Sequence, residues 1–171
     1  MNPFGKLPAL SHGDVHIFES GAMLLYLHDL LEKPSPGADT RDAVALRGRM
    51  AAWVLFANCT MGNGLFLEHL RAREMPGLMA GLTAQLGDGR PFLELHGFSV
   101  ADVAVGGLLL YLPFMFPHLA SELASYDVVA AYLSRLAVRP SYVRTLGARI
   151  SGAADGTAPM APSTRGGLPV R

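Results

Sequence analysis

The stretch Gly5–Leu27, GKLPALSHGDVHIFESGAMLLYL, limits what this chain can fold into more than any other. Leu7–Leu10 is short and apolar and carries Pro8, and Ser11-His12-Gly13-Asp14 supplies turn residues, with Gly13 free to take positive φ. Val15–Phe18 alternates, with Val15 and Ile17 on one side and His16 and Phe18 on the other, which predicts the second strand of a hairpin. Glu19-Ser20-Gly21 then opens a helix. Met23, Leu24, Leu27, Leu30 and Leu31 form its apolar stripe, and His28, Asp29 and Glu32 are expected to face water. The unit is strand, turn, strand, helix.

A helix that starts straight after a strand offers a ready anion site. Its first N–H groups have no partner inside the helix, and the dipole adds positive potential. Ser20 contributes a hydroxyl, and Glu19 places beside it a carboxylate able to hold an ammonium. Side by side, the two suit an amino-acid head group. Local chemistry alone favours the plainer reading, in which Ser20 is simply the helix N-cap.

Length and composition narrow the classes. A chain of 171 residues, half of them apolar and only 16% charged, has the material for a buried core in one or two small domains. Fourteen basic and fourteen acidic residues cancel, which argues against nucleic-acid or membrane-surface binding driven by charge. The single cysteine, Cys59, leaves no intrachain disulfide framework and fits a reducing compartment; it reads as an ordinary buried thiol. Hairpin residues begin within a few positions of Met1 with no signal-like segment ahead of them, so the expected setting is cytoplasmic. The uncharged run Val103–Phe116 is short for a membrane span and contains Pro113, so a buried core helix is expected. The six histidines show no metal-ligand spacing, and the dinucleotide and phosphate-loop glycine patterns are missing, so neither a metal nor a nucleotide cofactor is expected.

Further along, the prolines and glycine of Lys33–Ala38 predict a linker. A helix is predicted from about Arg41 to Ala57, with Leu46, Met50, Trp53, Val54 and Ala57 inward, ending or bending in the Asn58–Gly64 segment. Leu65–Leu70 reads as helical, Pro76 as a first-turn residue or a kink, and Leu78, Met79, Leu82 and Leu86 as a helix stopped by Gly87-Asp88-Gly89. Ser99-Val100-Ala101-Asp102 resembles a capping box with Asp in place of Glu, which makes Ser99 and Asp102 structural. The helix they open is apolar on nearly every side and is expected to run through the middle of its domain until Pro113 and Pro117 end it. Another helix is predicted over Tyr126–Ala137 and a short one after Arg139-Pro140-Ser141-Tyr142. Residues 151–171 are rich in Gly, Ala, Pro, Ser and Thr and are expected to be disordered.

Several of these segments, in this order, resemble the glutathione S-transferase family. Lys6-Leu7-Pro8-Ala9-Leu10, a turn ending in Gly13-Asp14, then Glu19-Ser20-Gly21-Ala22 and Tyr26-Leu27 are similar to the family's glutathione-binding half-domain. Phe98–Val105 is similar to its capped central helix, and Tyr132–Leu136 followed by Arg139–Tyr142 to its next helix and turn. The resemblance covers about Pro3 to Ala148. It implies a mainly α protein: a truncated thioredoxin-like ββα unit over residues 1–33, a linker over 34–39, an all-helical C-terminal domain over 40–150 and a tail over 151–171.

The resemblance also implies roles. Leu7 would hydrogen-bond the cysteinyl part of glutathione through its backbone, Pro8 would follow a cis bond, and Glu19 and Ser20 would hold the γ-glutamyl end. Glutathione enters as a substrate, its thiol adding to a small apolar electrophile in a detoxification-type reaction. Trp53, Phe56 and Asn58 are the implied side chains of the electrophile pocket, although most of them read more readily as core. Family members pair through the helix before the linker and the one after it, and apolar faces on Met23–Leu31 and Leu46–Trp53 are compatible with a homodimer and equally with internal packing. The family's first half-domain, at least one βαβ unit of about 30 residues or more, precedes the ββα unit and supplies the Tyr, Ser or Cys that activates the thiol. No residue here takes that place, so no catalytic residue is assigned. Two readings follow: an enzyme, or a non-catalytic relative or fragment whose helical domain binds apolar ligands or protein partners.

Overall fold

Proline has no N–H to give to a strand ladder, and pairing begins one residue after Pro8. In the computed structural model, which describes residues 2–31 and 40–148, β1 (Ala9–His12) pairs antiparallel with β2 (Val15–Phe18). The register sets Ala9 opposite Phe18, Leu10 opposite Ile17, Ser11 opposite His16 and His12 opposite Val15. The first strand therefore lies two residues later than expected. The turn shrinks to Gly13-Asp14, with Gly13 at φ 58°, because a two-residue connection matches the strands' twist. Ser11 and His16 share a side-chain hydrogen bond of 2.9 Å across the pair, and His12 shares one of 2.7 Å with Tyr26 on the following helix.

That helix, α1 (Ser20–Leu31), turns a different face inward from the one its leucines suggest. Gly21 and His28 are its buried residues, His28 at 7% exposure, while Leu31 is 75% exposed. Gly21 sets the face. A Cβ there would lie 2.7 Å from Asn58 Nδ2 and 3.0 Å from Val54 Cγ1, so its missing side chain lets α1 settle on the next helix. Residues seven apart share a helix face, which carries His28 inward with it.

The chain is mainly helical after the hairpin. Helix α2 (Thr40–Leu55) passes without a stop into a π-helical turn (Phe56–Met61) and then α3 (Gly62–Phe66). The expected break at Asn58–Gly64 moves to Leu67, which is extended at ψ 110°. Gly62 keeps helical angles, and a Cβ on Gly64 would meet Leu78 Cδ1 at 2.9 Å. Gly64 thus serves the close approach of α4 (Glu68–Leu86) rather than a stop. Pro76 lies inside α4, whose start precedes it by two turns. Arg71 on α4 donates to the Leu65 carbonyl and lays its guanidinium 3.9 Å above the Phe116 ring.

Helix α5 (Val100–Met115) runs through the core, burying Ala101, Ala104, Val105, Leu109 and Leu112. It continues past Pro113, which removes only the bond to the Leu109 carbonyl. The helix closes with the Phe116 N–H donating to the Leu112 carbonyl at 2.8 Å, then turns by 118° into Pro117–Leu119 and α6 (Ala120–Ala124). No single helix among the described residues is long and apolar enough to cross a membrane. At its start, Ser99 and Asp102 form a capping box. The Asp102 carboxylate, 1% exposed, also accepts from the Leu93 N–H at 3.0 Å and the Tyr132 hydroxyl at 3.1 Å. The loop before it starts at Gly87-Asp88-Gly89, where Arg90 donates to Asp88 at 2.7 Å and holds that exposed carboxyl down, to about 2.

Two compact units divide the chain, Met1–Leu133 and Ser134–Arg171. α7 (Asp127–Ala137) begins in the first. In the second, the helical turn Pro140–Tyr142 leads into a π-helical turn, Val143–Gly147, and Thr145 Oγ1 donates to the Ser141 carbonyl at 2.7 Å. Burial pushes the Tyr142 phenol up. The expected linker over 34–39 and the expected disordered tail over 151–171 lie outside the described residues.

Candidate functional site

Ala9 stands opposite Phe18, so Leu7-Pro8 and Glu19-Ser20 leave the ladder at the same open end of the hairpin. The Leu7–Pro8 peptide bond is cis. Leu7 itself is 92% exposed. Behind it, Asn2 shapes the approach: its Oδ1 accepts from the Phe4 N–H at 2.9 Å and its Nδ2 donates to the Lys6 carbonyl at 2.9 Å.

Glu19 is in the left-handed region at φ 70°, alone among the described non-glycine residues. A side chain there crowds the following carbonyl at a cost of about 1–2 kcal/mol. The kink lets β2 end and α1 begin with no intervening loop. The Glu19 carbonyl accepts the first helical bond, from the Met23 N–H at 3.0 Å. Glu19 is therefore the N-cap and Ser20 the first helical residue, one position on from the capping role that local chemistry suggested. The Ser20 hydroxyl instead accepts from Asn58 Nδ2 at 3.3 Å. Both side chains are exposed, so the N–H end of α1, a hydroxyl, a carboxylate and an amide share one open corner.

Asn58 reaches that corner from the π-helical turn, an element enriched at functional positions because it carries one residue more than an α-helical turn. Cys59, next to it, is exposed, in contrast to its sequence reading.

Trp53 and Phe56 do not join Asn58. Their rings meet edge-on, 5.9 Å apart at 83°, and line a pocket of about 310 Å³ against α4. The facing wall is Gly77, Leu78, Gly81 and Leu82, with Gln85 one turn further along. Glu94 fixes the indole: its carboxylate, 8% exposed, accepts from Trp53 Nε1 at 3.0 Å and from Arg49 Nε at 3.1 Å. The structure thus splits the three implied electrophile-pocket residues between two places. Ser99 and Asp102 stand apart from both, engaged in the cap of α5.

Sequence reasoning missed four things here: the backbone of Glu19, the packing role of Gly21, the bond from Asn58 to Ser20 and the clamp from Glu94. Of these, only Gly21 carried a signal, as a glycine inside the first turn of a predicted helix. No curated protein matches the chain. Residues 1–29 match the family model described as the N-terminal domain of glutathione S-transferase, and over that stretch the chain is glutathione S-transferase-like.

Proposed function

We propose that this protein binds glutathione at the Glu19–Ser20 corner and conjugates its thiol to small apolar electrophiles. The observation that carries the reading is Glu19 at φ 70°, inside the stretch that matches the glutathione S-transferase N-terminal domain. Glycine would take that conformation without strain, yet the position holds a carboxylate, and strain of this kind gathers where a side chain is needed in one orientation. In this reading Glu19 receives the ammonium of the γ-glutamyl end. Ser20 and the first-turn N–H groups of α1 receive its carboxylate, and the Leu7 backbone, ahead of Pro8, receives the cysteinyl part. Asn58, bonded to Ser20, positions the hydroxyl.

The chemistry needs the thiolate, so a donor must stand beside the sulfur. No residue of this chain is assigned as that donor. Trp53 and Phe56 would take the electrophile. In this reading glutathione is a substrate and no cofactor takes part; the setting is cytoplasmic, and a homodimer is compatible with it.

Retention on immobilised glutathione, together with conjugation of a generic aryl halide by the purified protein, is the expected result. A second reading is a non-catalytic relative that binds apolar ligands. It is favoured by the Trp53–Phe56 pocket, whose lining comes entirely from the helices after the hairpin and the π-helical turn. Folded protein showing neither retention nor conjugation would select it.

A further inference from the structure

We propose that the pocket between α2 and α4 binds a planar, uncharged aromatic molecule of about two fused rings that carries one hydrogen-bond donor. The inference rests on Trp53 and Phe56 forming the apolar-ligand pocket. It does not depend on glutathione being bound.

Four observations define the ligand. The pocket, about 310 Å³ and open to solvent on one side, has room for a bicyclic molecule. Two aromatic rings form one wall, and the indole is held in place by Glu94 rather than left to rotate. Opposite them, Gly77 and Gly81 lie one turn apart on α4, and a Cβ on either would meet nothing within 4 Å. Glycine inside a helix costs stability relative to alanine, and no packing neighbour accounts for the missing side chains. The space left open at both positions, beside Leu78 and Leu82, gives a ring room to lie against the helix.

The polar inventory sets the rest. No charged side chain lines the pocket, so an ionised ligand would lose its hydration with no compensation. The indole N–H is already given to Glu94, and Gln85 Nε2 donates to the Leu93 carbonyl at 3.3 Å. What the lining still offers is the Gln85 side-chain oxygen, an acceptor. A neutral hydroxyl on an aromatic frame matches it.

Trp53 is the sole tryptophan, so an amide-labelled sample gives one indole N–H signal by NMR. Titrating the full chain with 2-naphthol, in the absence of glutathione, should move that signal saturably. Naphthalene-2-sulfonate should leave it unmoved. Gly81→Leu places a side chain in the pocket and raises helix propensity, so the variant should fold, as followed by circular dichroism, and should lose the response. Gly77→Leu is the second variant should the first fail to fold. No saturable shift with 2-naphthol, an equal response to the sulfonate, or an undiminished response in the folded leucine variant each overturns the proposal. Loss of glutathione retention with the naphthol response intact counts against the transferase reading alone.

Discussion

Leu7, Val15 and Phe18 of the hairpin stand in solvent, whereas Val105, Leu109 and Leu112 of α5 are fully out of it. The two regions are held by different means. The hairpin keeps its shape through backbone devices: a two-residue turn with Gly13 at φ 58°, Glu19 at φ 70°, and Asn2 bonded to Lys6. The helices keep theirs through apolar burial around α5 and through two buried carboxylates, Asp102, which ties three segments together, and Glu94, which holds Arg49 and Trp53. A region that buries little is free to spend its side chains on a ligand, and the exposed corner at Glu19 and Ser20 is where those side chains gather.

This contrast can be broken at either end. Leu109→Ala should lower unfolding stability by about 2–5 kcal/mol, while Leu7→Ala should stay within about 0.5 kcal/mol, both measured by urea denaturation. Equal effects would mean that the hairpin is also held by burial. Asp102→Ala removes the acceptor from the Leu93 and Ser99 N–H groups and should cost roughly 2–4 kcal/mol in the same assay. Ser20→Ala should weaken glutathione binding by about 1.5–3 kcal/mol in calorimetry with little change in the unfolding midpoint. Unchanged affinity would remove Ser20 from the site.

Glu19→Gly sharpens the comparison further. Relief of the left-handed strain and the added chain entropy of glycine oppose each other, so stability should shift by less than about 1 kcal/mol while glutathione retention falls. The smallest effect is electrostatic. Asp88 has its folded value depressed from 3.8 to about 2 by hydrogen bonds from Arg90, so its contribution is present above the unfolded value and is lost as the pH falls through 2. The Asp88 carboxyl signal in NMR should titrate near that lower value, and stability should not change with this group above pH 5.

What could be read from the residues beforehand follows the same division. The hairpin, the capping box at Ser99 and Asp102 and the core course of α5 were legible, since each is written in neighbouring residues: turn formers, an N-cap with its N3 partner, an apolar run. The cis bond before Pro8 came with the family resemblance. Positions set by distant partners were not legible. His28 is polar and looked solvated, yet Gly21 seven residues earlier decides which face of α1 turns inward. Asn58–Gly64 looked like a stop, because two glycines weaken a helix in isolation and only the approach of α4 explains Gly64. In the candidate site, Glu19 and Ser20 were visible as residue types. The bond from Asn58 was not, because it joins positions 38 residues apart.

The π-helical turn at Phe56–Met61 ties the two candidate sites to a single chain length. An α-helix advances about 100° per residue, so excising one codon from this turn would leave a continuous helix while swinging everything beyond the cut by about that angle. Asn58 would point away from Ser20, and Glu94, which also lies beyond the cut, would be carried away from the Trp53 indole it accepts from. A change of one residue in this turn would therefore disturb the Glu19–Ser20 corner and the aromatic pocket together, since five residues of the pocket wall follow the turn.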